Sequence, residues 1–202
     1  RNRPSLAQSF SEVSSGEVLT VAINHFKSKG SACADLGDPD TGDGSGNCSL
    51  TRTKAAQALV EWLATDPTVS GDADVLVLGD LNAYNQEDPI DVFISAGYAE
   101  LLGSLQGPFA YSYLFDAQLG YLDYALSSPS LTGQISGVTA WHINADEPDL
   151  IDYDTAFKLP NQIAIYAPDA YRSSDHDPVL VGLSLQATPP PEVIHSDGFE
   201  AE

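Results

Sequence analysis

The amino-acid sequence predicts an α/β fold, and three of its features lead to that class. Short apolar runs typical of buried strands are separated by segments with helical periodicity. The 202 residues are 43% hydrophobic and include 16 Gly and 13 Pro, as in one loop-rich globular domain. No apolar run approaches the roughly 20 residues that cross a bilayer. We therefore expect a single compact core and no membrane partner.

The first expected elements are two strands and the helix between them. Residues 18–25 form an apolar run that ends in polar side chains, which predicts a buried strand. Residues 51–63 carry Ala and Leu at helical spacing, with Thr residues available to cap the start and Pro67 beyond the end. Residues 74–79 contain a continuous apolar run, as in a central strand covered on both faces. Polar residues that follow such strands lie where layered α/β folds commonly bind ligands.

The later part of the chain adds one helix and three strands. The helix is expected at 89–96 and the strands at 120–127, 138–143 and 178–185. An irregular acidic stretch covers 144–154. The composition then becomes Pro-rich, so we expect one domain over residues 1–186 and a linker and tail over residues 187–202.

The charge balance is strongly acidic, with 29 Asp and Glu against 8 Lys and Arg and a formal net charge of −21. This charge balance argues against a simple electrostatic nucleic-acid binder, because such proteins usually carry a basic patch. An enzyme acting on a polyanion would need metal ions and a local basic cluster such as His25, Lys27, Lys29 and Arg52. Alternatively, the acidity only keeps a secreted protein soluble. The sequence leaves both interpretations open.

The two cysteines, Cys33 and Cys48, bracket a loop rich in Gly and Asp. A loop this polar has little apolar surface to fix it, and a disulfide would remove on the order of 3 kcal/mol of loop entropy. Such a bond requires an oxidising compartment. Two free thiols are the alternative. The spacing gives no support for a redox or zinc-cysteine role.

Asp, Asn and His residues lie in or next to several of the predicted strands. They are His25, Asp80 with Asn82, Asp123, and the pair Asp175 and His176 in the loop before the last strand. Such groups suit metal-assisted hydrolysis of a phosphodiester, because carboxylates bind hard cations and a carboxylate or imidazole positions the attacking water. Each group also has a plain structural interpretation as a turn or a helix cap.

Three motifs resemble the carboxy-terminal motifs of the endonuclease/exonuclease/phosphatase superfamily, which includes deoxyribonuclease I. They are Gly79–Ala83, Tyr121–Tyr124 and Ser174–Val179. Further stretches are similar to bacterial extracellular nucleases of that superfamily, at 24–30, 37–40, 51–53, 80–84, 87–90 and 141–148. The resemblance covers Arg1 to Leu185. It implies the carboxy-terminal part of a four-layer α/β sandwich, with two mixed β-sheets flanked by helices. It also implies a secreted metal-dependent nuclease acting on DNA, with RNA as a second substrate class.

The resemblance assigns roles to individual catalytic residues. Asp80 would orient or deprotonate the attacking water, and Asn82 would hold the water, the metal or a phosphate oxygen. His176 would contact the scissile phosphate and stabilise charge in the transition state. Asp123 would fix the His176 ring and favour its protonated form. His25 would be the second imidazole at the phosphate.

Metal and substrate contacts follow from the same resemblance. Asp175, Asp80 and Asn82 would hold Mg²⁺, with Mn²⁺ as an alternative. Arg3 matches a phosphate-contacting arginine, and Lys27 and Lys29 are expected to grip the nucleic-acid backbone or to be ordinary surface charges. A structural Ca²⁺ ion is a further expectation. Its candidate ligands are carboxylates in two acidic loops, which could equally be solvated, namely Asp38, Asp40 and Asp43 in one and Asp146, Glu147, Asp149, Asp152 and Asp154 in the other.

The resemblance also implies a missing part. The superfamily takes an Asn and a metal-binding Glu from its amino-terminal half, and only the short segment 1–24 precedes His25 here. Glu12 and Glu17 are not in the expected context at the end of a strand. We therefore expect an incomplete fragment with an uncovered sheet edge and exposed apolar surface, and a complementing amino-terminal half as a partner.

Two other functions compete with the nuclease. One is a phosphodiesterase or phosphatase of the same superfamily that acts on another substrate, such as lipid headgroups. The sequence shows no exposed aromatic hairpin suited to membranes, which argues against the lipid substrate. The other is a non-catalytic acidic Ca²⁺-binding module.

Overall fold

The computed structural model describes residues 2–148, 150–156 and 158–186. The predicted linker and tail, 187–202, lie outside the described residues. The strands are β1 (Leu6–Ser11), β2 (Val18–His25), β3 (Val75–Asp80), β4 (Ala99–Glu100), β5 (Tyr113–Phe115), β6 (Gln118–Gly120), β7 (Asp123–Ser127), β8 (Ile135–Ala140) and β9 (Val179–Leu183). The helices are α1 (Ser49–Leu63), α2 (Asp88–Ser95), α3 (Leu102–Gln106), α4 (Pro129–Thr132) and α5 (Pro160–Ile163), with a 3₁₀ turn at Ala34–Leu36.

A mixed five-stranded sheet, in the order β1-β2-β3-β7-β4, organises the fold. β2 and β3 are parallel, and their connection contains α1. β1, β7 and β4 each run antiparallel to their neighbours. Strands β8 and β9 form a separate antiparallel pair, and β5 and β6 form another. The chain is therefore an α/β protein with mixed strand directions, as the sequence predicts.

Most predicted elements are present, with shifted ends. β2 coincides with the predicted strand at 18–25, whereas the strand predicted at 120–127 is divided between β6 and β7. The division arises because β6 pairs with β5, while β7 pairs with β3 in the main sheet. β1 was not predicted, because its apolar residues Leu6, Ala7 and Phe10 form neither a continuous run nor a strict alternation.

The cap of α1 differs from the expected one. The helix begins at Ser49, and the N-cap position, Cys48, makes no side-chain capping bond. Instead, Asp38 accepts hydrogen bonds from the backbone N–H groups of Leu50 (3.1 Å) and Thr51 (2.7 Å). The prediction of a Thr cap is therefore wrong. The loop folds back so that a carboxylate ten residues before the N-cap position satisfies the free donors of the first turn.

The core lies on both faces of the main sheet. One face packs against α1 and α2 through a large cluster that includes Ala22, Val77, Leu126, Leu59 and Phe93. The other face packs against β8 and β9 through a smaller cluster that includes Leu19, Leu76, Ala125, Val138 and Val181. Neighbouring residues of each strand contribute to opposite clusters because side chains alternate along a strand. The sheet thus has a helical layer on one side and a β-hairpin layer on the other.

Part of the second face remains exposed. Leu6 is paired with Ile23, and Phe10 is paired with Leu19. The exposed fractions of Leu6, Phe10 and Ile23 are 66%, 56% and 46%. β1 is also the outermost strand of the main sheet on this side. The expected uncovered edge and apolar surface are therefore features of the structure. Within the described ranges, every helix is too short or too polar to cross a membrane.

Gly79 determines how closely β2 and β3 approach each other before the site. It pairs with Asn24 and has a φ of 125°. A Cβ atom at this position would lie 1.9 Å from the backbone oxygen of Asn24. Because both partners are backbone atoms of paired strands, the clash cannot be relieved by a side-chain rotation. Only glycine permits this register, which sets Asp80 beside His25.

We expect Gly79→Ala to lower the free energy of unfolding by roughly 3 kcal/mol or more, because backbone strain and overpacking add. Urea denaturation followed by circular dichroism measures this change. Gly133→Ala is the matched control, since Gly133 has right-handed helical angles and nothing within 4 Å of the added Cβ atom. The strained geometry of Gly79 would be unimportant if the two variants were equally stable.

Candidate active site

Three polar side chains lie next to one another at one edge of the main sheet. His25 at the end of β2 is paired with Asp80 at the end of β3. Asp80 is paired in turn with Asp123 on β7. Asp123 begins its strand, although the sequence pattern groups it with residues that end theirs. It reaches the same edge because β7 runs antiparallel to β3.

Asp80 is a largely buried carboxylate that is held by two hydrogen bonds from Asn82. Its Oδ1 accepts the backbone N–H of Asn82 at 2.7 Å, and its Oδ2 accepts Asn82 Nδ2 at 2.8 Å. Asn82 is also buried, has a φ of 48°, and donates to the backbone oxygen of Phe26 at 3.2 Å. Burial, with smaller contributions from the charges of Asp123 and Asp175, raises the pKa of Asp80 to about 6 although the Asn82 N–H lowers it.

His176 is joined to Asp123 by a direct hydrogen bond. The distance from His176 Nδ1 to Asp123 Oδ2 is 2.7 Å. The same carboxylate oxygen accepts the hydroxyl of Ser112, which is fully buried, at 2.7 Å. Burial lowers the pKa of His176, but the bond to Asp123 and the charge of that carboxylate outweigh it, so the pKa is raised. Its environment therefore favours the imidazolium form.

His25 has the opposite electrostatic environment. Arg3 Nη1 contacts His25 Nδ1, and a guanidinium can only donate. The imidazole therefore accepts at Nδ1 and carries its proton on Nε2, which lies 3.5 Å from Asp80 Oδ2. Burial lowers the pKa of His25, and the neighbouring positive charge of Arg3 lowers it further. The site thus combines an imidazole whose surroundings favour the neutral form with one whose surroundings favour the protonated form, and carboxylates lie between them.

Asp177 anchors the loop that carries Asp175 and His176. Its fully buried side chain accepts three backbone N–H groups through Oδ1, and its Oδ2 is 2.8 Å from His142 Nδ1. Those N–H groups belong to Ile143, Asn144 and Ala145. The Asn144 amide also donates to the His176 backbone oxygen at 2.9 Å. The sequence analysis gave Asp177 no role. Its place in the Ser-Asp-His-Asp motif was the only available signal.

Asp175 lies at the more open side of the site. Its side chain is 40% exposed, and Asp175 Oδ2 is 4.0 Å from His176 Nε2. The expected metal ligands therefore include one accessible carboxylate, Asp175, and one that already accepts two hydrogen bonds, Asp80. Glu12 and Glu17 are joined by a backbone hydrogen bond in the turn between β1 and β2, at the opposite end of that strand pair.

The basic residues do not form one phosphate-binding cluster. Arg52 is fully buried and donates to the backbone oxygens of Asn47 (2.7 Å) and Ser45 (2.6 Å), so it is not available for the local basic cluster in which it was expected. Lys29 forms an ion pair with Glu87 and lies 4.8 Å from the centroid of the Tyr84 ring. A phosphate would have to compete with Glu87 for Lys29. Arg3, which contacts His25, and the half-buried Lys27 are the remaining candidates.

The loop between the cysteines is closed as expected. Cys33 and Cys48 form a disulfide with a Cα–Cα distance of 5.3 Å. Asp38 caps α1, while Asp40 and Asp43 accept hydrogen bonds from Gly42 and Ser45 within the loop. These carboxylates satisfy local donors. The described part of the chain contains no cluster of three or more Asp, Glu, His or Cys side chains suited to a metal.

The second acidic loop also uses its carboxylates for protein contacts. Asp146 accepts the Tyr111 hydroxyl at 2.9 Å, and Asp152 forms an ion pair with Lys158 at 2.6 Å. Asp154 accepts the backbone N–H of Ala156 at 2.9 Å. Asp149 lies outside the described residues. The contacts give no support for a shared Ca²⁺ site in this loop.

A β-hairpin beside the site was missed in the sequence. Strands β5 and β6 place Tyr113 beside His176, with 4.4 Å between the ring centroids. Phe115 at the far end of β5 is exposed, as are Leu114 and Leu119. The chain therefore has an exposed hairpin with an aromatic residue that was not predicted, and its suitability for a membrane stays untested. Its three-residue strands are too short to produce a recognisable pattern.

Comparison with solved structures identifies the fold. An endonuclease/exonuclease/phosphatase family protein from Bacteroides thetaiotaomicron superposes with a TM-score of 0.54 and 17% identity, covering 88% of this chain and 54% of that one. A mannosyl-6-phosphatase from the same organism superposes with a TM-score of 0.54 and 16% identity, covering 90% of this chain and 57% of that one. The chain has the endonuclease/exonuclease/phosphatase fold. Beta toxin from Staphylococcus aureus superposes with a TM-score of 0.51 and 14% identity, covering 89% of this chain and 56% of that one.

The chain spans little more than half the length of these endonuclease/exonuclease/phosphatase structures. No protein-family model and no curated protein matches its sequence. The similarity therefore lies in the arrangement of the strands and helices.

The raised pKa of Asp80 predicts a pH-dependent loss of stability. Below about pH 3, Asp80 is mostly protonated in both the folded and the unfolded chain. As the pH rises through about 6, the unfolded chain has already ionised at its lower pKa, so ionisation favours unfolding. We expect wild type to lose roughly 3 kcal/mol relative to Asp80→Asn across this interval.

Urea denaturation of both proteins in EDTA, at several pH values, measures this difference. The difference between the two proteins should be constant below about pH 3 and above about pH 7, and should change between these values. Hydrogen bonds lost in the variant shift the whole curve but do not alter its dependence on pH. A difference that stays flat across the interval would contradict the raised pKa.

Proposed function

We propose that this site hydrolyses phosphodiester bonds of nucleic acid with the help of a divalent metal. The observation that supports the proposal is the alignment of His25, Asp80 and Asp123 on adjacent strands, with His176 bonded to Asp123. This arrangement brings together a carboxylate base, an imidazole whose surroundings favour the neutral form and an imidazole whose surroundings favour the protonated form. General acid–base hydrolysis requires such groups in different protonation states.

Asp80 and His176 have complementary roles. With a pKa of about 6, Asp80 is ionised at neutral pH and still basic enough to take or orient the proton of an attacking water. His176, protonated through its bond to Asp123, donates from Nε2 to a phosphate oxygen as negative charge develops there. His25 places its Nε2 proton between Asp80 and the phosphate. The Ser112 hydroxyl holds the Asp123 carboxylate in position.

The residues present fit a Mg²⁺ ion, with Mn²⁺ as the alternative. Asp175 offers an accessible carboxylate, and the repulsion of Asp80 by Asp123 and Asp175 is what a cation would relieve. Mg²⁺ commonly binds one or two carboxylates together with waters and substrate phosphates, so a closed protein cage is not required. The Asn82 amide, which is fixed against Asp80, would orient that carboxylate or add an oxygen ligand. When bound, the ion neutralises the phosphate and polarises its oxygens.

Nucleic acid is the substrate that the sequence motifs favour. The stretches that resemble bacterial extracellular nucleases include His25, Asp80 and Asn82, which lie in the site. The disulfide is compatible with secretion into an oxidising compartment. We propose DNA as the first substrate and RNA as the second, with Arg3 and Lys27 contacting backbone phosphates. A complementing amino-terminal half that adds a metal-binding Glu remains part of this proposal.

Phosphomonoester hydrolysis is the second candidate. The mannosyl-6-phosphatase from Bacteroides thetaiotaomicron shares the fold over 90% of this chain. The same groups can act on a terminal phosphate, since the metal and His176 would contact its oxygens alike. Release of phosphate from mannose 6-phosphate, compared with cleavage of an oligodeoxynucleotide, separates the two candidates.

Purified protein with Mg²⁺ is expected to cleave a fluorescent oligodeoxynucleotide. Asp80→Asn and His176→Ala should each lower kcat by about 100-fold to 10,000-fold, because each removes a proton-transfer or charge-stabilising group. Asp91→Asn, an exposed carboxylate on α2, is the control and should keep the wild-type rate. Equal rates for Asp80→Asn and wild type would exclude this site as the catalytic one.

Metal binding is tested separately from turnover. Titration with Mn²⁺, followed by electron paramagnetic resonance, should show a site that Asp175→Asn weakens at least about tenfold, since the loss of one charged ligand weakens a hard-cation site. Asp116→Asn, in the turn between β5 and β6, is the control. Unchanged Mn²⁺ affinity in Asp175→Asn would remove Asp175 from the metal site whatever the catalytic rates are.

A further inference from the structure

The β5–β6 hairpin, residues 113–120, forms an arm beside the candidate active site. Asp116 and Ala117 make its turn with φ values of 48° and 60°, the left-handed pair required by a tight two-residue hairpin loop. At its base, the arm is tied to the core by the backbone bond from Ser112 N–H to the Gly120 oxygen, at 3.0 Å. A backbone bridge joins Tyr113 to His176. The arm is therefore fixed at the site and free at its tip.

The arm carries two aromatic rings that continue from the catalytic histidine. Tyr113 and Phe115 lie on the same face of β5 because they are two residues apart. Their ring centroids are 6.2 Å apart with an interplanar angle of 11°. The Tyr113 ring lies 4.4 Å from the His176 ring at 32°. The result is a row of three rings, His176, Tyr113 and Phe115, that starts in the site and ends in solvent.

The outer end of this row is open to a ligand. Phe115 has an exposed fraction of 63%, so the ring is available although the hairpin holds its orientation. A single exposed aromatic residue is common and carries no meaning by itself. Here the Phe115 ring is nearly parallel to the Tyr113 ring, and the Tyr113 ring contacts His176. Under the proposed function, His176 would contact the scissile phosphate. A flat ligand stacked on Phe115 would therefore belong to the same molecule as the reacting phosphate.

Charge decides what kind of ligand the row fits. The chain has a net charge of −21, and Lys29 is already paired with Glu87. Affinity for a nucleic acid can therefore draw little on phosphate neutralisation. Stacking of bases on aromatic side chains supplies about 1–3 kcal/mol per base and needs no basic surface. It requires an unpaired base, because the bases of a duplex are stacked on one another.

We propose that the arm is a base-stacking platform, on which Phe115 and Tyr113 bind an unpaired nucleotide adjacent to the scissile phosphate. The inference rests on the proposed function as a nucleic-acid phosphodiesterase and specifies its substrate as single-stranded. The acidic residue at the tip, Asp116, disfavours the alternative in which the arm enters a lipid surface through Leu114 and Leu119.

Binding without turnover tests the platform. Fluorescence anisotropy in EDTA compares a labelled single-stranded oligothymidylate with the same strand in a duplex. We expect the single strand to bind at least about tenfold more tightly, and Phe115→Ala to weaken that binding about 5-fold to 100-fold. The factor lost should be the same at about 50 mM and about 200 mM salt, because a neutral ring releases no counterions. Duplex binding should be unaffected by the substitution.

Phe109→Ala is the matched control, because Phe109 is 89% exposed and lies outside the row of rings. It should bind the single strand as wild type does. Both exposed side chains can be truncated without unfolding the chain, which circular dichroism verifies. Unchanged single-strand binding in Phe115→Ala, or equal binding of single strand and duplex by wild type, would overturn the platform.

Two further readouts separate this inference from the proposed function. Failure to hydrolyse DNA with Mg²⁺, together with Phe115-dependent binding of single strands, would reject the hydrolytic function and keep the binding platform. Sedimentation with phosphatidylcholine vesicles tests the lipid alternative. Vesicle binding that is lost in Phe115→Ala, without oligonucleotide binding, would show that the arm is a lipid contact and would overturn the proposal.

Discussion

The hydrogen bond between His176 and Asp123 joins two parts of the chain that lie 53 residues apart. Asp123 belongs to the main sheet, whereas His176 belongs to an irregular loop before the last strand. This bond orients the His176 ring relative to the strand that carries Asp123. The bond also determines the protonation of His176, because the Asp123 carboxylate raises its pKa. The same contact thus orients the His176 ring and favours its protonated form.

That contact depends on buried anchors on both sides. On the sheet side, the Ser112 hydroxyl donates to the same oxygen of Asp123. On the loop side, Asp177 accepts three backbone N–H groups, and its own N–H donates to the Ser112 oxygen at 2.7 Å. Loss of these donors would leave a buried carboxylate without hydrogen bonds and would raise the free energy of the folded state. The hydrogen bonds to Asp177 therefore stabilise this conformation of the loop. Ser112 therefore links the two halves of the site through both its backbone and its side chain.

The site concentrates negative charge in a chain that is already acidic. Asp80, Asp123 and Asp175 influence one another, and their repulsion contributes to the raised pKa of Asp80. Such an arrangement destabilises the fold at neutral pH, as expected where residues are placed for chemistry. A cation and a substrate phosphate would turn this cost into affinity. The same acidity leaves little electrostatic attraction for a polyanion, so under the proposed function substrate binding would come from the proposed metal ion and from stacking on the aromatic arm.

The sequence by itself determined the fold class, the strands β2 and β3, the main helix, the disulfide partners and the site motifs around Asp80 and His176. These features have local signals, since apolar periodicity and short polar motifs are read directly from neighbouring residues. Tertiary structure decided the rest. Asp38 caps a helix from a distant loop, Arg52 is buried although its charge implied exposure, and β5 and β6 are too short to be recognised. The protonation states of His25 and His176 also depend on Arg3 and Asp123, which meet them only after folding brings separate segments together.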